Sequence, residues 1–131
     1  MIAQFLKGGV NQGPQGCVQL CGNLDWIRPA YLGYLSEKAS KNKNDQQTSE
    51  AKKAVQEIWD VCKNRLIKGD LDQLVLDEIG LSMSLGYINK NEVISTLEQR
   101  PGTMDIILTG PAIPPEIMQL ADQITELRCG L

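Results

Sequence analysis

The sequence predicts an α/β domain whose mostly parallel sheet is flanked by helices, and three observations carry that prediction. Strand-like and helix-like segments alternate from residue 50 to the end, the pattern of parallel strands joined by crossover helices. Two apolar runs, Leu74-Val75-Leu76 and Ile106-Ile107-Leu108, lack apolar–polar alternation, as expected of strands buried on both faces. Between Ala51 and Leu66, apolar residues recur at spacings of three and four, the period of one helix face. The 131 residues fit one domain. A chain of this size buries roughly two thirds of its unfolded surface, enough for a core without staples.

The elements follow in order. Ile2-Ala3-Gln4-Phe5-Leu6 is a short apolar run ended by Lys7-Gly8-Gly9, a strand bounded by turn residues that leaves no room for an element before it. Asn11 to Gly16 is mostly glycine, glutamine and proline, a loop by turn chemistry. A weaker strand is expected over Asn23 to Ile27. Residues 36–49 are polar; they bury too little apolar area to offset ordering, so a mobile loop is expected there. Ala51, Val55, Ile58, Cys62 and Leu66 then define a helix. Ser49 suits its N-cap, Glu50 its first turn, Lys63, Arg65 and Lys68 its last turns, and Gly69 its stop.

A buried strand is expected across Asp72 to Glu78. Two short helices follow, roughly 79–86 and 90–99, the second capped by Asn89 or Asn91 and ended at Arg100-Pro101. Met104 to Thr109 is another buried strand. Pro114-Pro115-Glu116 opens a helix through Ala121, since proline suits a first turn. Ile124 to Leu127 is expected to close a last strand.

Composition excludes several functions. Net charge is −3 and the isoelectric point about 4.9, with no basic stripe, which argues against nucleic acid as a partner. Lys38, Lys41 and Lys43 sit among asparagine, glutamine and serine and belong to a solvated loop. No stretch approaches the ~18 apolar residues that a membrane helix needs, nor does the N-terminus resemble a signal peptide. A cytoplasmic protein is the expectation. Four cysteines and no histidine fit reduced structural thiols better than a zinc site. Ser-His-Asp and Cys-His catalysis are likewise excluded as usually built.

Asp77 and Glu78 are the strongest chemical feature. Leu74-Val75-Leu76-Asp77-Glu78 places adjacent carboxylates at the mouth of a buried strand. Ligands of such sheets bind beyond the carboxyl ends of strands. There a carboxylate pair can hold magnesium against nucleotide phosphates, or simply cap the helix starting near Ile79.

The succession of segments carries a resemblance. Gln4-Phe5-Leu6-Lys7-Gly8, Leu74 to Glu78, Gly86-Tyr87-Ile88, Glu92-Val93-Ile94, Arg100-Pro101, Ile107-Leu108-Thr109-Gly110 and Leu120 to Arg128 resemble, in that order, the ATP:cob(I)alamin (corrinoid) adenosyltransferases of the P-loop type. Thr109-Gly110-Pro111 and Asn23-Leu24-Asp25-Trp26 also resemble short cyanobacterial-type P-loop family proteins. The resemblance implies a RecA-like P-loop NTPase core and, in active relatives, transfer of 5′-deoxyadenosyl from ATP to the cobalt of a corrinoid. It implies nucleotide contacts at Lys7, Thr109 and Gly110, magnesium at Asp77 and Glu78, and ATP and a corrinoid as small-molecule ligands. It assigns neither a catalytic nor a corrinoid-binding residue.

Three departures stand against that pattern. No G-x-x-x-x-G-K-[ST] occurs anywhere, so the first strand and its phosphate loop, with their amides, lysine and hydroxyl, are expected to be missing, either because the chain is a piece of a longer protein or because it is a natural short form. The family's arginine after Thr-Gly is here Pro111. The aromatic segment that covers the corrinoid is not found as such; Trp26, Tyr31 and Tyr34 lie nearby in sequence and suit ordinary packing. The chain is therefore expected to be weak or inactive in transfer, or to serve as a non-catalytic binding module. A sheet lacking its first strand has an unpaired edge that favours a homodimer.

Overall fold

A computed structural model of the chain describes residues 1–8, 18–21, 23–30, 33–34 and 45–128. Four parallel strands form the frame: β1 (Ile2–Gln4), β4 (Leu24–Ile27), β6 (Gln73–Asp77) and β7 (Asp105–Leu108). A further strand, β3 (Val18–Cys21), pairs antiparallel with β4, giving the order β3-β4-β1-β6-β7. Two short strands, β2 (Lys7–Gly8) and β5 (Gly33–Tyr34), make a separate antiparallel pair. The mostly parallel sheet flanked by helices agrees with the α/β class.

Side-chain alternation along the strands gives the sheet two unlike faces. Ala3, Ile27, Leu74 and Leu76 point to one face and are wholly buried. They join a single core with Val55, Ile58, Trp59, Cys62 and Leu66 of helix α1 (Asp45–Lys68). The same core takes Ile79 from α2 (Ile79–Ser84), Val93 and Leu97 from α3 (Lys90–Glu98), and Ile117 from α4 (Pro115–Met118). Burying one such side chain is worth roughly 1.5–3 kcal/mol. On the other face Ile2, Trp26 and Val75 are half-buried, and Ile107 is 44% exposed. The register puts these four side by side. The expectation of burial on both faces therefore holds for the core side only.

Several expected boundaries survive. Asn89 caps α3, its side chain accepting from the amides of Asn91 and Glu92. Gly69 ends α1 with φ of 71°, its amide bonded to the Arg65 carbonyl. That conformation suits glycine.

Other expectations are corrected. Helix α1 begins at Asp45, so residues 45–49 are helical rather than loop and Ser49 lies inside the helix; residues 36–44 and the expected loop at 11–16 lie outside the described residues. Polar first turns give no apolar period to announce a helix, which is why its start was hidden. The last helix closes at Met118 rather than running to Ala121. Residues 123–128 form no strand. Ile124 and Leu127 are exposed, Leu127 by 92%, and among the described residues no strand lies alongside to pair with them. No described helix is long and apolar enough to cross a membrane.

Candidate functional site

The carboxyl ends of β4, β1, β6 and β7 meet along one edge of the sheet. Parallel register pairs Gln4 with Asp77. Leu76 pairs with Leu108, so Thr109 follows level with Asp77, its amide bonded to the Leu76 carbonyl at 3.1 Å. Ala3 pairs with Ile27, so Arg28 follows level with Gln4.

A run of hydrogen bonds crosses these four strand ends. The Trp26 indole N–H donates to Gln4 Oε1 at 3.0 Å. Gln4 Nε2 in turn makes a long contact of 3.5 Å to Asp77 Oδ2. The Thr109 hydroxyl donates to Asp77 Oδ1 at 3.0 Å and accepts from the Glu78 amide at 3.0 Å. Both Asp77 oxygens are thereby oriented by neighbours. Hydrogen bonds to an ionised acceptor are the stronger kind.

Glu78 occupies the left-handed region, φ 65° and ψ 23°, at the start of α2. A non-glycine residue there costs on the order of 1 kcal/mol. Its side chain makes no capping bond to the helix. Glu78 thus stands at the N-cap position without a side-chain capping bond, and the Asp77 carboxylate is turned to Gln4 and Thr109.

The turn after β7 closes against the same helix. Gly80 donates its amide to the Thr109 carbonyl at 3.3 Å. A Cβ on Gly80 would lie 2.5 Å from the Pro111 carbonyl oxygen. A Cβ on Gly110, whose φ is 122°, would lie 3.2 Å from the Gly80 nitrogen and 3.3 Å from that of Leu81. Two glycines are therefore required where two backbones touch.

Asp77, Glu78, Thr109 and Gly110, four of the five site residues expected from sequence, come together here. Lys7 lies in β2, paired with Tyr34; its side chain lies outside the described residues, as does Tyr31. Trp26 and Arg28 were not expected to take part. Their signal was their position at strand ends, legible only once strand order is known. Magnesium usually keeps waters and takes one or two carboxylates plus phosphate oxygens. Asp77 and Glu78 fit that need, whereas among the described residues no group of three or more histidine, cysteine, aspartate or glutamate side chains could form an all-protein cage.

A cleft of about 400 Å³ lies at the opposite end of the strands, lined by Met1, Asp25, Arg65, Asp70 and Gln73 among others. Its arginine is already held by Asp25 at 3.3 Å and Asp70 at 3.1 Å. The arginine of this cleft is thereby engaged by its own acidic neighbours.

The family model of the ATP:corrinoid adenosyltransferases BtuR/CobO/CobP matches residues 1–130. A corrinoid adenosyltransferase of Escherichia coli (strain K12) is 35% identical over 75 residues, covering 57% of this chain and 38% of that protein. One from Pseudomonas aeruginosa is 25% identical over 128 residues, covering 96% of this chain and 59% of its own length. An uncharacterized protein of Nostoc sp. (strain PCC 7120) is 36% identical over 70 residues, 53% of this chain and 18% of that protein. The chain spans less than two thirds of the length of these relatives.

Proposed function

The chain belongs to the ATP:corrinoid adenosyltransferase family, and from that we propose that its acidic strand end receives magnesium and the phosphates of ATP. The family reaction moves 5′-deoxyadenosyl from ATP to the cobalt of a corrinoid. These 131 residues, without a glycine-rich phosphate loop, bind nucleotide weakly and perform little transfer by themselves. The observation that carries the reading is the Asp77–Glu78 pair, oriented by Gln4 and Thr109 at the mouth of β6.

In this reading Asp77 and Glu78 hold magnesium, which when bound neutralises phosphate charge. Gln4 and Thr109 fix the Asp77 carboxylate so that it need not reorganise when the ion arrives. Gly110 lets the backbone approach the ligand, and Lys7 supplies a further cation. The protein works in the cytoplasm as a homodimer. The free side of β7, unpaired among the described residues, supports the dimer.

Titration calorimetry with ATP and magnesium tests the proposal. A dissociation constant of about 1 mM, near 4 kcal/mol of binding, is expected, and loss of magnesium-dependent binding in Glu78→Gln. No heat at about 10 mM nucleotide, or a Glu78→Gln variant that binds like the parent, would remove the nucleotide role.

A second reading, a non-catalytic binding module on the same scaffold, is favoured by Pro111. Proline can give a phosphate neither charge nor an N–H. It predicts nucleotide binding with no adenosyl transfer to a reduced corrinoid under any nucleotide concentration.

A further inference from the structure

Arg28 stands one residue beyond β4, at the ligand-facing end of the sheet. Its guanidinium lies over the Trp26 ring, 4.0 Å from the centroid, and Trp26 is itself pinned to Gln4 through its indole N–H. Stacking accounts for the plane of the guanidinium but for none of its donors, which point outward within that plane. Among the described residues Arg28 has no ion-pair partner, and its Nε is buried with no hydrogen-bond partner at all.

A buried donor left unpaired costs about 1–3 kcal/mol, and native folds rarely leave one without a reason. The Nε–H is enclosed by the protein, so the donors open to a ligand are those of the two Nη groups, whose paired N–H edge matches two oxygens of one phosphate or carboxylate. Arg28 is level with Gln4, two strand spacings from Asp77, about 10 Å by sheet geometry. One end of this row therefore favours a cation and the other an anion. A polyphosphate satisfies both at once, since its oxygens take the metal at one end and the fork at the other; a simple carboxylate does not reach.

We infer that Arg28, held flat by Trp26, is a phosphate-binding residue that grips two oxygens of a polyphosphate ligand at this strand end. The inference rests on the reading of that end as a nucleotide-phosphate site. It gives the site an anion contact supplied by β4, on the far side of the sheet from the Thr109–Pro111 turn.

Calorimetric titration of the whole chain with inorganic tripolyphosphate, without metal and at low salt, tests it. Saturable binding is expected, weakened about tenfold or more in Arg28→Gln and not restored in Arg28→Lys, which lacks the fork. Absence of saturable binding up to about 10 mM, or equal affinity in Arg28→Gln, overturns it. A second measurement needs no variant: the Arg28 Nη–H resonances of the parent protein are expected to shift on adding tripolyphosphate, and unmoved resonances at saturation overturn the inference. Failure of the two proposals looks different. Arg28-dependent tripolyphosphate binding without any magnesium–ATP binding sinks the nucleotide role alone. Magnesium–ATP binding indifferent to Arg28→Gln sinks the arginine contact alone.

Discussion

The Thr109 hydroxyl donates to the Asp77 carboxylate at 3.0 Å, and the same oxygen accepts from the amide of the next residue, Glu78. One side chain from the end of β7 thus satisfies two consecutive positions at the end of β6.

Thr109→Val keeps the shape of the side chain and removes both bonds. It leaves a part-buried amide and a carboxylate oxygen unpaired, so a loss of about 1–3 kcal/mol is expected. Thr109→Ser keeps the hydroxyl and should lose less than half of that. Urea denaturation of the two variants beside the parent measures the difference.

Gly80→Ala should be destabilising although it lies in a helix, where alanine is ordinarily favoured by about 1 kcal/mol. The added methyl would meet the Pro111 carbonyl at 2.5 Å, and the turn must move. A net loss of roughly 1–3 kcal/mol is expected, read from thermal unfolding. A stabilised variant would show that the turn does not press on α2.

Cys62 is buried in the core, and that burial pushes its thiol from 9.0 up to about 12. The folded state therefore holds its proton where the unfolded chain has released it. Stability from this group is complete below the unfolded value and falls as pH rises from there through about 12. Alkylation at pH 8, mapped by mass spectrometry, should leave Cys62 unmodified in the folded protein and modify it in urea.

Arg65 ties α1 to β4 through Asp25 and to the following loop through Asp70. The arginine and Asp25 are each only 27% exposed, so the pairs are less screened than fully exposed ones. Arg65→Met should cost about 1 kcal/mol, and the difference from the parent should shrink in high salt. An unchanged midpoint in salt-free buffer would show the pairs to be idle.

How much of this was legible in the sequence depended on the range of the interaction. Leu74 to Leu76 and Ile106 to Leu108 announced their strands because apolar runs are local, and Asn89 announced its cap because a cap reaches only two or three residues. The acidic pair was visible as a strand end. How it is held was not, since Gln4 and Thr109 meet Asp77 across 73 and 32 positions of chain, and only strand order brings them together. The left-handed twist at Glu78 was hidden as well: nothing in the residue type asks for it, and its amide is bonded to Thr109, 31 positions away. The expected strand at Ile124 to Leu127 failed because an apolar pattern needs a neighbouring strand to bond with.

The close approach of Gly80 to Pro111 has a mechanical consequence. Glu78 is fastened to Thr109 through its amide, and Gly80 sits against the carbonyl two residues further on, so the two loops form one stiff piece. Neither can swing without the other. In the proposed role, an arriving ligand would meet a surface already shaped and lose little entropy to ordering it, so that fit rather than adaptation would select it.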